Sequence, residues 1–388
     1  METTLTRSYL RRMFPQFQTH TGYFEAMMPL TREATLADYD GIARVLKDNG
    51  LVPKTEEEYR FRYENNPSLS FFKSSPPIGW VLEDGKHIVG CFGNIPATYW
   101  FNRKPINALI ACDWAVKPEY RNFSITLIAK YFSQKHADLL ITTTSRKESG
   151  PAFLLFQAHK IPVTNYDSTL FSITEPIGFI SSLLKRKNIP LSRYIGFPLG
   201  LFLGLTTSFR DTQPIPTQVK LISLFDQRFD IFWEKLKIEN SHLLLAGRSK
   251  EDLSWHFNYA LKTNSAWIFV FEANSEITGY GIFQRQDNPQ FELTRMRLVD
   301  LQVLNNDKSV ITPMIAAGLK KCRENGIHIL EIMGFDETKR QVLKNLGFYN
   351  RTLDGWPFYY KAGSSSLKLS LRNAQAWEPS LYDGDGSL

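Results

Sequence analysis

The chain has 388 residues, 43% hydrophobic and 22% charged, as is ordinary for a soluble globular protein of about two domains. Its three cysteines, without a Cys-x-x-Cys pair, exclude a disulfide framework and favour a reducing cytoplasm. The net charge of +7 favours an anionic partner such as a nucleotide cofactor, a membrane surface or a nucleic acid, and a generally basic surface fits it equally well.

The first half predicts an extension, a helix, a hairpin and two strand–helix units. Residues 1–29 lack the apolar core of a signal peptide and are expected to pack on the body or fray. A helix begins at Thr35, with Asp38 three residues later, and ends at Gly50. The next segments predict a hairpin with its turn at Asp84-Gly85, and then strand, helix, strand and helix in INALIACDWAV, ITLIAKYFSQKHA, LLITTTS and GPAFLLFQAHK.

The second half repeats this pattern. RFDIFWEKLKIEN predicts a helix, and AWIFVFEANSEITGYGIFQ predicts a hairpin with its turn at Asn274-Ser275. Strand, helix, strand and helix follow once more, so the repeat indicates duplication of a whole domain. The fold class predicted for each copy is α/β, with a mixed, mostly antiparallel sheet flanked by helices. The two domains are predicted at residues 30–175 and 213–361.

A connector is predicted at residues 176–212. It combines the basic sequence KRKN with the almost wholly apolar run YIGFPLGLFLGL, Tyr194 to Leu205. That run is shorter than the roughly 20 apolar residues that span a bilayer. It is interpreted either as a buried connection between the domains or as a peripheral membrane contact through residues 185–205.

The C-terminal tail, residues 362–388, is polar and rich in Gly and Ser. Trp377 and Tyr382 could dock on the body and bring Asp383 and Asp385 near a site. The alternative interpretation is a solvated terminus.

The segment VKPEYRNFSIT, Val116 to Thr126, lies between a predicted strand and a predicted helix. With the order of elements, it resembles the turn V-x-P-x-Y/H-R-G-x-G-I/V-G/A of the GNAT superfamily of acyl-CoA N-acyltransferases. The resemblance implies tandem GNAT-like domains and a coenzyme pyrophosphate held by backbone amides at the N-terminus of the following helix. The family's glycines fall here on Asn122, Ser124 and Thr126, so the site either survives with tighter sterics or has been lost. The cofactor-binding residues that the resemblance implies are Ala115, Val116, Arg121, Asn122, Phe123, Ser124, Ile125 and Thr126.

The corresponding turn in the second half is NNDKSVIT. It has no Arg at the expected place, and Asp307 stands where a phosphate would sit, which is unfavourable for an anion. We therefore predict that the second half is structural or binds the acceptor.

Catalytic residues are harder to assign. The Tyr that often protonates the leaving thiolate in the family is replaced by Phe156 in the first half and Leu343 in the second. Asp113 is the best candidate for the general base, because a carboxylate in the apolar run LIACDWAV needs a partner or a role, and a hydrogen-bonded structural Asp is the alternative. Glu148 and His159 are weaker candidates. The seven histidines lack metal-ligand spacing, so no metal is predicted.

The expected function is N-acyl transfer from acetyl-CoA or another acyl-CoA to an amino group of a small metabolite, an amino sugar or a lipid-linked precursor, in the cytoplasm. One alternative is an aminoacyl-tRNA-dependent peptidyl transferase of the tandem-GNAT type. Another is a non-catalytic GNAT-like binding protein. Binding to DNA is not expected, and tRNA is a partner only under the first alternative.

Overall fold

The computed structural model describes residues 28–164, 166, 168–190, 196–202, 215–352 and 357–388. Most of the predicted extension 1–29 lies outside the described residues, as do residues 194–195 and 203–205 of the apolar run. The described strands are β1 (Leu30–Glu33), β2 (Gly79–Asp84), β3 (His87–Phe101), β4 (Lys104–Val116), β5 (Leu139–Thr142), β6 (His159–Lys160), β7 (Ser168–Ile173), β8 (Val219–Ile222), β9 (Leu245–Ala246), β10 (Ala266–Ala273), β11 (Glu276–Arg285), β12 (Arg295–Val303), β13 (Ile329–Met333), β14 (Tyr349–Thr352) and β15 (Tyr359–Ala362).

Helices flank these strands, with a further helical segment at 196–202. Within the described part of the chain, no helix is both long and apolar enough to cross a membrane. The helices are α1 (Tyr39–Asp48), α2 (Glu56–Glu64), α3 (Ser124–Phe132), α4 (Gly150–Leu155), α5 (Pro176–Arg186), α6 (Arg228–Glu239), α7 (Lys250–His256), α8 (Asn258–Lys262), α9 (Lys308–Glu324), α10 (Glu337–Asn345) and α11 (Ser365–Ser370).

The strands form two mixed sheets. The first has the order β1-β2-β3-β4-β5-β15-β6, with β9 paired to β3, and the second has the order β14-β7-β13-β12-β11-β10-β8. Neighbouring strands are antiparallel except for the parallel pairs β4–β5 and β12–β13. The predicted fold class, α/β with mostly antiparallel sheets flanked by helices, is confirmed.

The two sheets exchange strands. β7 comes from the first half of the chain but pairs with β13 and β14 in the second sheet. β15 comes from the second half but pairs with β5 and β6 in the first sheet. The domain bounds of 30–175 and 213–361 stay a prediction, and strand pairing crosses them in both directions.

The two hairpins of the repeat share a local irregularity. The register between β2 and β3 shifts at Leu82/Glu83, and that between β10 and β11 shifts at Phe271/Glu272. The second hairpin turns at Asn274 and Ser275, both with positive φ, as a two-residue I′ turn requires. A bulge placed alike in both hairpins supports their descent from one duplicated unit.

The C-terminal tail docks on the body. Trp377 is buried, its ring meets those of Phe358 and Tyr360 at centroid distances of 5.5 and 5.0 Å, and its Nε1 donates to the Leu371 carbonyl at 2.8 Å. Tyr382 is also buried and donates its hydroxyl to the Gly247 carbonyl. Of the two interpretations of the tail, the structure supports docking on the body and not a solvated terminus.

We expect Trp377→Ala to lower the free energy of unfolding by about 3–5 kcal/mol, because it removes a buried ring and leaves a cavity. Urea denaturation measures the effect. Leu369→Ala, at an exposed position of the same tail, is the matched control and should change it by less than about 0.5 kcal/mol. Equal effects of the two substitutions would contradict the docked position of the tail.

Candidate active site

A β-bulge in β4 shapes the site. Asp113 and Trp114 together oppose a single residue of β3, Phe92. Asp113 has a φ of +48°, a left-handed conformation that Asp tolerates better than most residues. Its carbonyl oxygen accepts a hydrogen bond from Cys91 Sγ at 3.1 Å. Bulges of this kind bend a strand and re-aim its side chains.

Near this bulge, β4 parts from its neighbour β5. Their parallel pairing joins Ala108–Ile110 to Leu139–Ile141, while β4 continues to Val116. We call the region where residues 111–116 of β4 have no partner in β5 the β4–β5 gap. An extended ligand that carries amide groups can pair with a strand edge that has no strand partner.

Asp113 forms an ion pair with Arg62 of α2. Arg62 Nη1 lies 2.8 Å from Asp113 Oδ2, and the carboxylate side chain is 27% exposed whereas Arg62 is buried. Burial lowers the pKa of the Arg62 guanidinium, but the charge of Asp113 and those of other neighbouring acidic groups together raise it by more, so the pKa lies above its ordinary value. Arg62 therefore stays charged and holds one carboxylate oxygen of Asp113 in a fixed position.

Two cavities lie near these residues. One is lined by Asp113 together with Tyr59, Tyr63 and Trp80. The other lies where both halves meet the tail. Two of its lining groups, Thr98 Oγ1 and Trp255 Nε1, are buried and have no hydrogen-bond partner within the described residues. Unpaired buried polar groups of this kind are suited to binding a polar ligand.

The predicted cofactor turn follows β4 directly. Ala115 and Val116 are buried at the end of the strand. Pro118–Phe123 form a 3-10 helix that leads into α3, with Arg121 and Asn122 exposed and Phe123, Ser124, Ile125 and Thr126 half-buried. The turn therefore joins strand and helix as predicted.

The backbone of this turn is more closed than a glycine-rich turn. No residue from 116 to 126 has a positive φ, and Asn122 does not use the left-handed conformation open to it. The Ser124 amide donates to the Arg121 carbonyl. The hydroxyls of Ser124 and Thr126 donate to the carbonyls of Arg121 and Phe123, both at 2.8 Å. A coenzyme would have to compete for these donors.

The helices after the two turns differ in capping. No side chain caps the N-terminus of α3. In the second half, Asp307 is the N-cap of α9 and accepts a hydrogen bond from the Ser309 amide at 2.8 Å. A carboxylate thus occupies the end of α9 that would otherwise attract an anion.

Asp300 occupies the place in β12 that Asp113 has in β4. Val116 pairs with Gly90 and Val303 with Gly279, and each aspartate lies three residues before its valine. Asp300 is fully buried, and its pKa is lowered although burial acts to raise it, chiefly because of the charge of Arg248.

Arg248 binds two carboxylates. Its Nε and Nη2 donate to Asp300 at 3.0 and 3.1 Å, and Nη2 also donates to Asp383 of the tail at 3.0 Å. Tyr280 and Gln302 complete the hydrogen bonds of Asp300, at 2.8 and 3.0 Å. Burial raises the pKa of Asp383, which Arg248 partly counteracts. The network joins the tail to the second sheet.

The tail then reaches the first half. Asp385 accepts hydrogen bonds from the hydroxyls of Thr143 and Thr144, at 2.7 and 2.6 Å, directly after β5. Burial raises the pKa of Asp385, those hydrogen bonds act against the rise, and the negative charge of Asp113 adds to it. The charges of Asp113 and Asp385 are therefore close enough to interact, whereas Asp383 belongs to the second-half network.

The remaining candidates lie elsewhere. Phe156 stacks on Phe132 at 6.0 Å, and Leu343 is fully buried in α10. Glu148 is exposed, and His159 lies on the edge strand β6, where burial lowers its pKa. Within the part of the chain that the structure describes, no group of His, Cys, Asp and Glu is placed to hold a metal ion.

Sequence reasoning missed Arg62, Arg248 and Asp300. One signal was present, since Asp300 lies as far before Val303 as Asp113 lies before Val116. Helix caps near the two arginines could also be recognised in the sequence: the capping box Thr55-x-x-Glu58 precedes Arg62, and the capping box Ser249-x-x-Asp252 directly follows Arg248.

Comparison with known proteins gives the fold. No protein-family model matches the sequence, and no curated protein does. Among solved structures, a GCN5-related N-acetyltransferase from Anabaena variabilis matches with a TM-score of 0.53 and 12% identity, over 86% of this chain and 72% of that one. Saccharomyces cerevisiae N-myristoyltransferase with bound myristoyl-CoA matches with a TM-score of 0.55 and 12% identity, over 86% of this chain and 78% of that one.

The chain has the fold of the GNAT N-acyltransferases. A probable N-acyltransferase from Enterococcus faecalis V583 matches similarly, with a TM-score of 0.54 and 10% identity, over 86% of this chain and 72% of that one. Because each of these matches covers 86% of the chain, each includes residues of both halves. The resemblance predicted from the sequence is confirmed at the level of the fold.

His256 allows a pH test of the packing between the halves and the tail. It lies 4.6 Å from the Tyr382 ring, and burial lowers its pKa from 6.5 to about 3. Below pH 6.5 the unfolded chain therefore takes up a proton that the folded protein does not. The folded state should lose about 2 kcal/mol from this group between pH 7 and pH 5.

We expect His256→Gln to remove that part of the pH dependence, measured by urea denaturation at both pH values. The exposed His87→Gln is the control and should keep the wild-type slope. A wild-type slope in His256→Gln would mean that the folded protein does not hold His256 neutral.

Proposed function

We propose that the protein is an acyl-CoA-dependent N-acyltransferase that acts on an amino group of a small metabolite, an amino sugar or a lipid-linked precursor. The observation that carries the proposal is the β4–β5 gap, with the bulge at Asp113 on one side and the turn to α3 at its end. Similar structures include an N-acetyltransferase and an N-myristoyltransferase holding myristoyl-CoA, which supports an acyl-CoA as the donor. Acetyl-CoA is the donor we propose first.

The coenzyme would lie along the gap. Its extended, amide-bearing arm would pair with the edge of β4 near Ala115 and Val116. Its pyrophosphate would meet the exposed Arg121 and the uncapped N-terminus of α3, where the helix dipole favours an anion. Because Asp307 caps α9 in the second half, we assign the coenzyme to the first half.

Asp113 is the proposed general base. An ammonium must lose a proton before its nitrogen can attack the thioester carbon. The new C–N bond then forms, the C–S bond breaks, and coenzyme A leaves as a thiolate that takes a proton from solvent. Arg62 holds Oδ2 of Asp113, and no hydrogen bond to Oδ1 is seen among the described residues. Oδ1 is thus available to accept the proton, directly or through one water molecule.

The acceptor would bind from the side where the two halves meet. Thr98 Oγ1 and Trp255 Nε1 offer it unpaired polar groups, one from each half. We place the protein in the cytoplasm, because its three cysteines are free and acyl-CoA donors are cytoplasmic metabolites.

The closed turn favours a second candidate, a non-catalytic binding protein with this fold. The Ser124 amide and the hydroxyls of Ser124 and Thr126 already have partners within the turn. If they stay paired, the pyrophosphate loses its main donors. Coenzyme binding separates the two candidates.

We expect wild-type protein to bind acetyl-CoA and Arg121→Ala to bind it about tenfold or more weakly, because a charged hydrogen bond to a phosphate contributes roughly 1.5–3 kcal/mol. Titration calorimetry with acetyl-CoA, a long-chain acyl-CoA and free coenzyme A measures this. Arg103→Ala, at an exposed Arg of the β3–β4 turn, is the control and should bind like wild type. Failure of the wild type to bind any of the three would reject the proposal and direct attention to aminoacyl-tRNA or a partner protein.

We expect Asp113→Asn to lower kcat by about 10²–10⁴, as loss of a general base does, with the coenzyme Kd unchanged. Asn is the variant of choice because it also tolerates the positive φ of this position. Steady-state kinetics with an amine found by screening, alongside the exposed Asp40→Asn, measures the effect. An unchanged kcat would leave Asp113 a structural residue of the bulge.

A further inference from the structure

An exposed apolar surface lies on the pair of helices formed by α5 and residues 196–202. Gly196 and Gly200 are buried where the short helix contacts α5. A Cβ on Gly196 would lie 2.5 Å from Ser181 Oγ, and one on Gly200 would lie 2.5 Å from Ile177 Cα. The two glycines therefore permit close packing of the helices and fix which face of residues 196–202 points outward.

That outward face carries large apolar side chains. These side chains are highly exposed even though the segment is helical and packs against α5. They are Phe197, Leu199, Leu201 and Phe202, exposed by 55%, 51%, 51% and 71%. Leu183 of α5 adds a further exposed apolar side chain. Contiguous exposed apolar side chains of this kind mark an interaction site rather than an ordinary surface.

Positive charge lies next to this face. Lys185, Arg186 and Lys187 end α5 and follow it, with Arg186 and Lys187 exposed. Lys185 is paired with Glu292 at 2.5 Å, so the excess charge rests with the other two. Burial lowers the pKa of the Arg351 guanidinium in β14, and the charges of Arg295 and Arg186 lower it further. Arg186 is therefore close enough to Arg351 for their charges to interact. The apolar helical segment packs against α5, and the basic residues lie at the C-terminal end of the same helix.

We propose that this surface, residues 183–187 and 196–202, docks on a membrane that contains anionic phospholipid. The aromatic and leucine side chains would enter the boundary between headgroups and acyl chains, and Arg186 and Lys187 would contact lipid phosphates. A bilayer is favoured over a protein partner because exposed apolar side chains lie against α5 and exposed basic side chains lie at its end, a combination that anionic membranes attract. The inference is independent of the proposed acyl transfer.

Sedimentation with vesicles tests the proposal. The wild type should sediment with vesicles of phosphatidylcholine and phosphatidylglycerol at low salt, and much less with phosphatidylcholine alone. The double variant Phe197→Ser with Phe202→Ser should bind about tenfold or more weakly, because it removes two apolar side chains from the interface. Arg186→Glu with Lys187→Glu should weaken binding by a similar factor and remove its salt dependence.

A matched control uses exposed apolar residues elsewhere. Leu224 and Ile238 are exposed by 62% and 61%, and Leu224 follows β8, at the opposite edge of the second sheet from β14. Leu224→Ser with Ile238→Ser should bind vesicles like the wild type, and urea denaturation should find all variants folded. A wild type that does not sediment with anionic vesicles would overturn the proposal. So would vesicle binding that the phenylalanine variant retains, or self-association of the wild type through the same residues.

Discussion

The structure depends most on the guanidinium of Arg248, which holds one carboxylate from β12 and one from the tail. Replacing Arg248 would leave two buried carboxylates without their shared partner, and breaking a buried ion pair in this way typically costs about 3–5 kcal/mol. With Asp383 fixed, the next residues of the tail are positioned as well, and Asp385 reaches the hydroxyls of Thr143 and Thr144 beyond β5. A network in the second half thereby positions Asp385, whose charge interacts with that of Asp113 in the first half.

The two halves have kept the same frame and diverged in their charges. In β4 and in β12 an aspartate lies at the same place, at or next to a bulge in the pairing with the preceding strand, and each aspartate pairs with an arginine. In the first half, Asp113 stays partly exposed beside a cavity, whereas Asp300 is sealed by Tyr280, Gln302 and the tail. The same position therefore serves as a candidate catalytic group in one half and as a structural anchor in the other.

The sequence predicted those structural features that depend on residues close together along the chain. The cap at Thr35, the turn at Asn274-Ser275 and the strand–turn–helix around Val116 to Thr126 follow from spacing and side-chain chemistry. The exchange of β7 and β15 was not predictable, because pairing between distant strands leaves no mark in the strands themselves. The partner of Asp113 was missed for the same reason: Arg62 lies 51 residues away. The closed turn was not foreseen either, since it depends on hydrogen bonds of Ser124 and Thr126 within the turn.

The central claim is that one half, and not the other, holds an acyl coenzyme. Hydrogen–deuterium exchange of the full chain, with and without saturating acetyl-CoA, tests it most directly. We predict slower exchange in peptides that cover residues 111–128, as the edge of β4 and the first turn of α3 become occupied, and unchanged exchange in residues 303–312. Protection confined to residues 303–312, or no change in either segment, would contradict the account.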